Sequence, residues 1–261
     1  MSPLGLALGL LVGVALGLLG GGGSILTVPI FVYVVGMEAK PAIAMSLAVV
    51  GAASLLGAVS HLRAGNMNPK AILVFAPPAM LGTFAGTHLA ALLPSALQLV
   101  LFGAVMLAAA LMMLRDRKPE PATQTVGQFQ MLPVLIAGTV VGLLTGLIGV
   151  GGGFLIVPAL VLFGGLPMRQ AVGTSLAVIA LNSFVGFTGY LGHIPMDWVL
   201  IGAFVFVAGL GIVIGSSLVK RVSATGLKRG FAVFLVVVGT FILYQNRSIF
   251  AQVLPSQMQS P

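Results

Sequence analysis

The sequence predicts an all-α polytopic membrane protein of two inverted repeats, each a glycine-broken helical hairpin followed by three transmembrane helices. Three observations carry this expectation. Hydrophobic residues make up 59% of the 261-residue chain and charged residues only 6%, where a soluble domain carries roughly 25% charge. The stretch 17–29, GLLGGGGSILTVP, returns as 146–158, GLIGVGGGFLIVP. The basic loops also change places between the two halves.

Taken in order, the apolar segments of the first half are 4–35, 42–62, 71–93 and 97–114, and those of the second are 131–163, 171–191, 198–219 and 231–244. A membrane-spanning helix needs about 20 apolar residues, and each unbroken segment is near that length. The first segment of each half is too long for one span and carries the glycine cluster in its middle. Two shorter helices meeting at the glycines are expected there. Polar residues with Pro119 and Pro121 mark 115–130 as a linker, so the expected organisation is 1–114, first repeat; 115–130, cytoplasmic linker; 131–246, second repeat; and 247–261, polar tail. No Lys or Arg precedes Lys40, so no cleavable signal peptide is expected.

A shift of 129 positions superimposes the halves without a gap. It places Gly13 on Gly142, Pro29 on Pro158, Ser46 on Ser175, Ser54 on Ser183, Gly82 on Gly211, Gly86 on Gly215 and Phe102 on Phe231. Apolar composition alone does not keep glycine and proline in step over so long a stretch, which points to duplication.

Charge then orients the halves. Arg63 and Lys70 flank one loop of the first half, while the loop near Pro94 is uncharged. In the second half the earlier loop holds His193 and Asp197, and the later one holds Lys220, Arg221, Lys228 and Arg229. Loops rich in Lys and Arg stay in the cytoplasm, so equivalent loops fall on opposite sides and the repeats are inverted. Inversion needs an odd number of crossings per half. Three unbroken spans supply three, so each broken segment must enter and leave on one side, as a hairpin with the glycines at its tip. Both termini then lie outside.

A helix starting after such a break presents free backbone N–H groups and the positive end of its dipole, which binds anions without a charged side chain. The expected substrate-binding residues are therefore Gly21, Gly22, Gly23, Ser24 and Thr27 at the first break and Gly151, Gly152 and Gly153 at the second. Ser24 and Thr27 would add hydroxyl donors. Ser46, Thr174, Ser175 and Asn182, polar residues in apolar helices, complete the expected set; Ser175 and Asn182 are seven apart and share one helix face. Two plainer readings stand beside these: glycines permit close helix packing, and membrane-buried hydroxyls and amides bond across helices or back to their own helix. His61 and His193 fall at segment ends, where an interfacial role is expected, and His88 falls within a span. Glu38, Asp116, Glu120 and Asp197 all map to loops, so a buried carboxylate relay is not expected. Lys40 and Arg169 correspond across the repeat and could draw anions inward.

The net charge of +8 is spread between apolar segments, without the basic face that nucleic-acid binding requires. The absence of cysteine excludes disulfides, thiolate chemistry and cysteine metal sites. A membrane enzyme would need a nucleophile with its base, or a metal cluster, within the bilayer, and no such motif is present. No enzyme activity, metal or cofactor is expected.

The doubled glycine break with its proline, followed by an Ala-x-x-x-Ser-Leu-Ala segment at 42–48 and again at 171–177, resembles the TauE/SafE family of sulfite and organosulfonate permeases. The resemblance covers nearly all of 4–245. It implies a multi-pass protein of the bacterial inner membrane that transports sulfite or similar sulfur-containing anions. The expected function is secondary transport of a small anion by alternating access, with an anion channel of the same architecture as the alternative. The expected partners are a small anionic substrate and the lipid bilayer, with a homodimer as the candidate assembly.

Overall fold

The structure, a computed structural model, describes residues 3–115, 131–148, 153–192, 194–219 and 222–247. The linker, most of the polar tail and Gly151, Gly152 and His193 lie outside the described residues. All described regular structure is helical. In the first half α1 spans Pro3–Leu19, α2 Gly22–Pro29, α3 Ala39–Arg63, α4 Pro69–Ala91 and α5 Ser95–Arg115. In the second half α6 spans Met131–Ile148, α7 Gly153–Leu162, α8 Met168–Thr188, α9 Trp198–Val219 and α10 Ala224–Gln245. Six of these, α3, α4, α5, α6, α8 and α9, contain stretches long and apolar enough to cross a membrane. In α10 the apolar stretch among the described residues is Arg229–Gln245.

The first long segment is broken where the sequence places the break. α1 ends at Leu19, Gly20 takes a left-handed φ of +70°, and α2 starts at Gly22. Gly23 packs against Val12 and Leu16 of α1, so α2 folds back along the helix before it. Pro29 has no N–H to offer, and α2 continues as a π-helical turn, Ile30–Val34, closed by Val35 N–H donating to Ile30 O at 2.9 Å. Gly164 and Ala159, the same two positions 129 residues on, make the matching bond at 3.3 Å.

Packing repeats the same correspondence. α1 lies on α9 through Gly13, Gly17, Gly211 and Gly215, whose missing side chains let the carbonyls of Ala208, Ile212, Leu10 and Val14 close on them. α6 lies on α4 through Gly142, Gly146, Gly82 and Gly86, with the carbonyls of Ala79, Thr83, Thr139 and Leu143 in the equivalent places. Each contact of one pair has its partner 129 residues away in the other. Glycine is needed because a Cβ would strike the neighbouring backbone, and small residues are how membrane helices pack closely. Thr83 adds a hydrogen bond across the second pair, to Gly142 O at 3.1 Å.

α3 and α8 form the inside of the bundle: 72% and 67% of their spans are buried, against 39–44% for the other four. Gly186 of α8 faces Leu47 of α3, Gly51 faces Ser183, Gly57 faces Leu176, and Gly173 faces His61. Positions rise along one helix as they fall along the other, so these two corresponding helices run antiparallel. The outer helices turn large apolar side chains outward, among them Leu73, Leu81, Val199 and Phe206, as a lipid-facing surface requires. Asn68 and Asp197, another corresponding pair, cap α4 and α9: each side-chain oxygen accepts from the N–H three residues on, at 3.0 Å and 2.9 Å.

Candidate functional site

The two breaks meet. A side chain on Gly21 would overlap the carbonyl of Gly153 and the N of Phe154, and one on Gly153 would lie 2.7 Å from Gly21 Cα. The first turn of α2 and the first turn of α7 therefore touch backbone to backbone. The N-cap of α2 is Gly21, so no side-chain cap covers that helix start. The inner helix α8 closes the site. A Cβ on Gly20 would sit 2.6 Å from Ser175 Oγ, and one on Gly153 would sit 2.5 Å from Ile179 Cδ1. Ser175, Ile179 and Asn182 lie at helical spacing on one face of α8, so the face that carries Asn182 is the face that meets both breaks.

The polar side chains divide into three kinds. Ser24 donates to Gly21 O at 2.7 Å, Thr27 to Gly23 O at 3.2 Å, Ser46 to Ile43 O at 2.8 Å and Ser175 to Val172 O at 2.8 Å. Their protons are directed to their own helices, so Ser24 and Thr27 do not stand in the site as free hydroxyl donors, as the sequence suggested. Thr174 accepts from the Asn68 N–H at 3.0 Å and fastens the α3–α4 connection to α8. Asn182 differs from all of these. It is fully buried, and neither its amide nitrogen nor its oxygen has a hydrogen-bond partner. An unsatisfied buried amide is costly, and Asn182 lies one turn along α8 from Ile179, which meets Gly153. Ser54 and Ser183, corresponding residues near the α3–α8 crossing, are likewise buried with unpartnered hydroxyls.

The remaining candidates lie away from the breaks. Lys40 and Arg169 are exposed at the starts of α3 and α8, and Arg169 donates to Val222 O at 3.2 Å. His88 is on the outer face of α4, with Nδ1 2.9 Å from Phe84 O and its ring against that phenyl. His61 falls in the last turn of α3, at the segment end where the sequence places it. There it is 2% exposed and packs against Gly173 of α8, a burial the sequence did not indicate. A groove of about 600 Å³ between α5, α6 and α7, walled by Val105, Met112, Ile136, Val140, Leu155 and Phe163, is wholly apolar and offers an anion no donor.

Paired apolar helices around two touching breaks, with polar groups facing inward, define a multi-pass α-helical membrane protein of the transporter class. The chain belongs to the sulfite exporter TauE/SafE family, whose sequence profile matches residues 5–242. A "Probable membrane transporter protein" of Xylella fastidiosa strain 9a5c is 34% identical, with 90% of this chain and 92% of that protein aligned. Proteins of the same printed description from Methanocaldococcus jannaschii and Bacillus subtilis are 28% and 27% identical, each over at least 90% of this chain and 96% of the relative. No solved structure matches the chain.

Proposed function

We propose that the protein carries a small anion, sulfite or an organosulfonate, across the bacterial inner membrane by alternating access of two oppositely oriented halves. The observation that carries this reading is the contact between Gly21 and Gly153. It brings two helix starts to one place, against the face of α8 that also carries an amide without partners. Backbone N–H groups and helix dipoles hold anions without a cationic side chain. That suits a family named for sulfite export and a chain with so few charges in its spans. The antiparallel run of α3 against α8, and the exchange of α1–α9 contacts for α6–α4 contacts, support the inverted arrangement. Such an arrangement lets one site open to either side by rocking one half against the other. The reading is of a carrier without a chemical step.

The test has two stages. Purified protein is screened for thermal stabilisation by sulfite, thiosulfate, isethionate and simple carboxylates, since a ligand that binds the folded state raises Tm. The stabilising anion is then followed in proteoliposomes. A carrier gives saturable flux and counterflow, in which unlabelled anion on one side drives labelled anion toward it. A channel gives flux without counterflow, and that result would overturn alternating access.

A further inference from the structure

His61 stands out among the described residues as the titratable side chain buried within the bundle; the other buried polar residues are Ser, Thr, Asn and Gln. Neither ring nitrogen meets a well-aligned partner, and the one polar group within hydrogen-bonding reach of the ring is the main chain of Gly17. Its Cβ lies 3.0 Å from where a Cβ on Gly173 would be, and the main chain of Gly17 is its other close neighbour. Gly17 is one turn before the left-handed Gly20, which faces Val172 and Ser175, the residues on either side of that same turn of α8. The imidazole is thus built into the wall of the first break. Yet His61 lies in the last turn of α3, two residues before the exposed Arg63, close to the end of the helix where a proton can be exchanged.

From this we propose that His61 is a proton-binding site coupled to the anion: the imidazole takes up one proton from the aqueous phase when the anion enters the first break, and gives it up when the anion leaves. The inference rests on the anion-carrier reading above. A buried cation without a counter-charge is disfavoured, and so is a buried anion. Placed together each removes the penalty of the other, so the two bindings are linked and each strengthens the other equally. No bond of the anion is made or broken.

The surroundings leave His61 as the group that can respond. α1, α2 and α9, all packed on α3, contain no titratable side chain. α8 carries Arg169, which is exposed and directed to Val222 O. The π-helical turn carries Tyr33 and α5 carries Arg115, both exposed. On α3 itself Lys40 lies at the far end, and Arg63 points to solvent. In the second half the corresponding residue is Tyr190. Burial pushes its phenol up to about 12, so it stays neutral at physiological pH. Proton coupling then belongs to one break only.

Calorimetric titration with isethionate, whose sulfonate stays ionised at every usable pH, tests this directly. Run at pH 7 in two buffers of different ionisation heat, it counts protons taken up per anion bound. The wild type is expected to take up about one proton, Tyr190→Phe the same, and His61→Gln none while binding more weakly. A wild type that binds isethionate with no proton uptake, or His61→Gln that binds it with undiminished uptake, would overturn the proposal while leaving the anion carrier intact. If His61→Gln does not fold, the wild type alone decides. One coupled proton means that affinity falls about tenfold per pH unit between pH 6 and 8, and a flat profile overturns the proposal. Failure of isethionate to bind at all would remove the sulfonate reading and this inference together.

Discussion

The first and second glycine breaks have matched surroundings and unmatched chemistry. Gly13 and Gly142 receive corresponding carbonyls, and Asn68 and Asp197 cap corresponding helices. Around the breaks the correspondence fails at several positions. Gly21 corresponds to Val150, Ser24 to Gly153, Ala53 to Asn182 and His61 to Tyr190. The glycines that hold helices together kept their identity after duplication; of the positions near the breaks, Ser175 kept its counterpart Ser46, whereas Gly21, Ser24, Asn182 and His61 lost theirs. Packing needs both halves alike, whereas a single ligand between them needs each group once.

The largest effect is expected where the halves touch. Gly21→Leu would drive a side chain into the backbone of Gly153. Displacing a binding group by about 1 Å costs on the order of 100-fold, so flux in proteoliposomes should fall at least that far with the protein still in the membrane. Near-normal flux would show that the breaks need not meet.

Asn182 separates the site reading from a purely structural one. A hydrogen bond to a charged group contributes about 1.5–3 kcal/mol, so Asn182→Ala should weaken anion affinity tenfold or more without lowering Tm, because its amide has no partner to lose. A lower Tm with unchanged affinity would assign Asn182 to packing. Gly13→Val and Gly142→Val test the matched side of the comparison. Each should destabilise by about 1–3 kcal/mol through overpacking, and by similar amounts, measured as denaturation midpoints in detergent. A large difference between them would break the equivalence of the halves.

The smallest effects belong to the exposed charges. Lys40→Ala and Arg169→Ala should each change apparent anion affinity less than about tenfold, with the change shrinking at high salt. Tyr190 adds a stability test in alkali. With the folded phenol held up to about 12 against an ordinary 10, its contribution is complete below pH 10 and lost as pH rises through 12. Tyr190→Phe should remove that loss from the pH–Tm curve.

Much of the fold was legible because glycine and proline act locally. The run of glycines at 20–23 breaks the first segment between Leu19 and Gly22 whatever surrounds it, and the 129-residue shift exposes the duplication. The site was legible only in part. Small-residue spacing does not reveal that Gly21 packs on Gly153 rather than on its own hairpin, since that contact joins residues far apart in the chain. Hydroxyl direction was not legible either. Ser24 and Thr27 could have faced the breaks, but a carbonyl three or four residues back is always within reach on a helix. His61 looked interfacial because Arg63 follows it; its burial comes from Gly173 on the opposite half, where the missing side chain lets α3 continue against α8.

The chain has no cysteine, which makes one measurement direct. Ser175→Cys places a thiol of nearly the same size beside Gly20. Its reaction with a small anionic methanethiosulfonate reagent can be timed with and without isethionate in proteoliposomes that counterflow this anion. If the anion is held where the two breaks meet, isethionate slows the reaction in proportion to site occupancy, and Leu73→Cys on the lipid-facing surface is unaffected. A thiol at 175 that reacts equally fast with saturating isethionate, in protein that still transports it, would place the anion elsewhere.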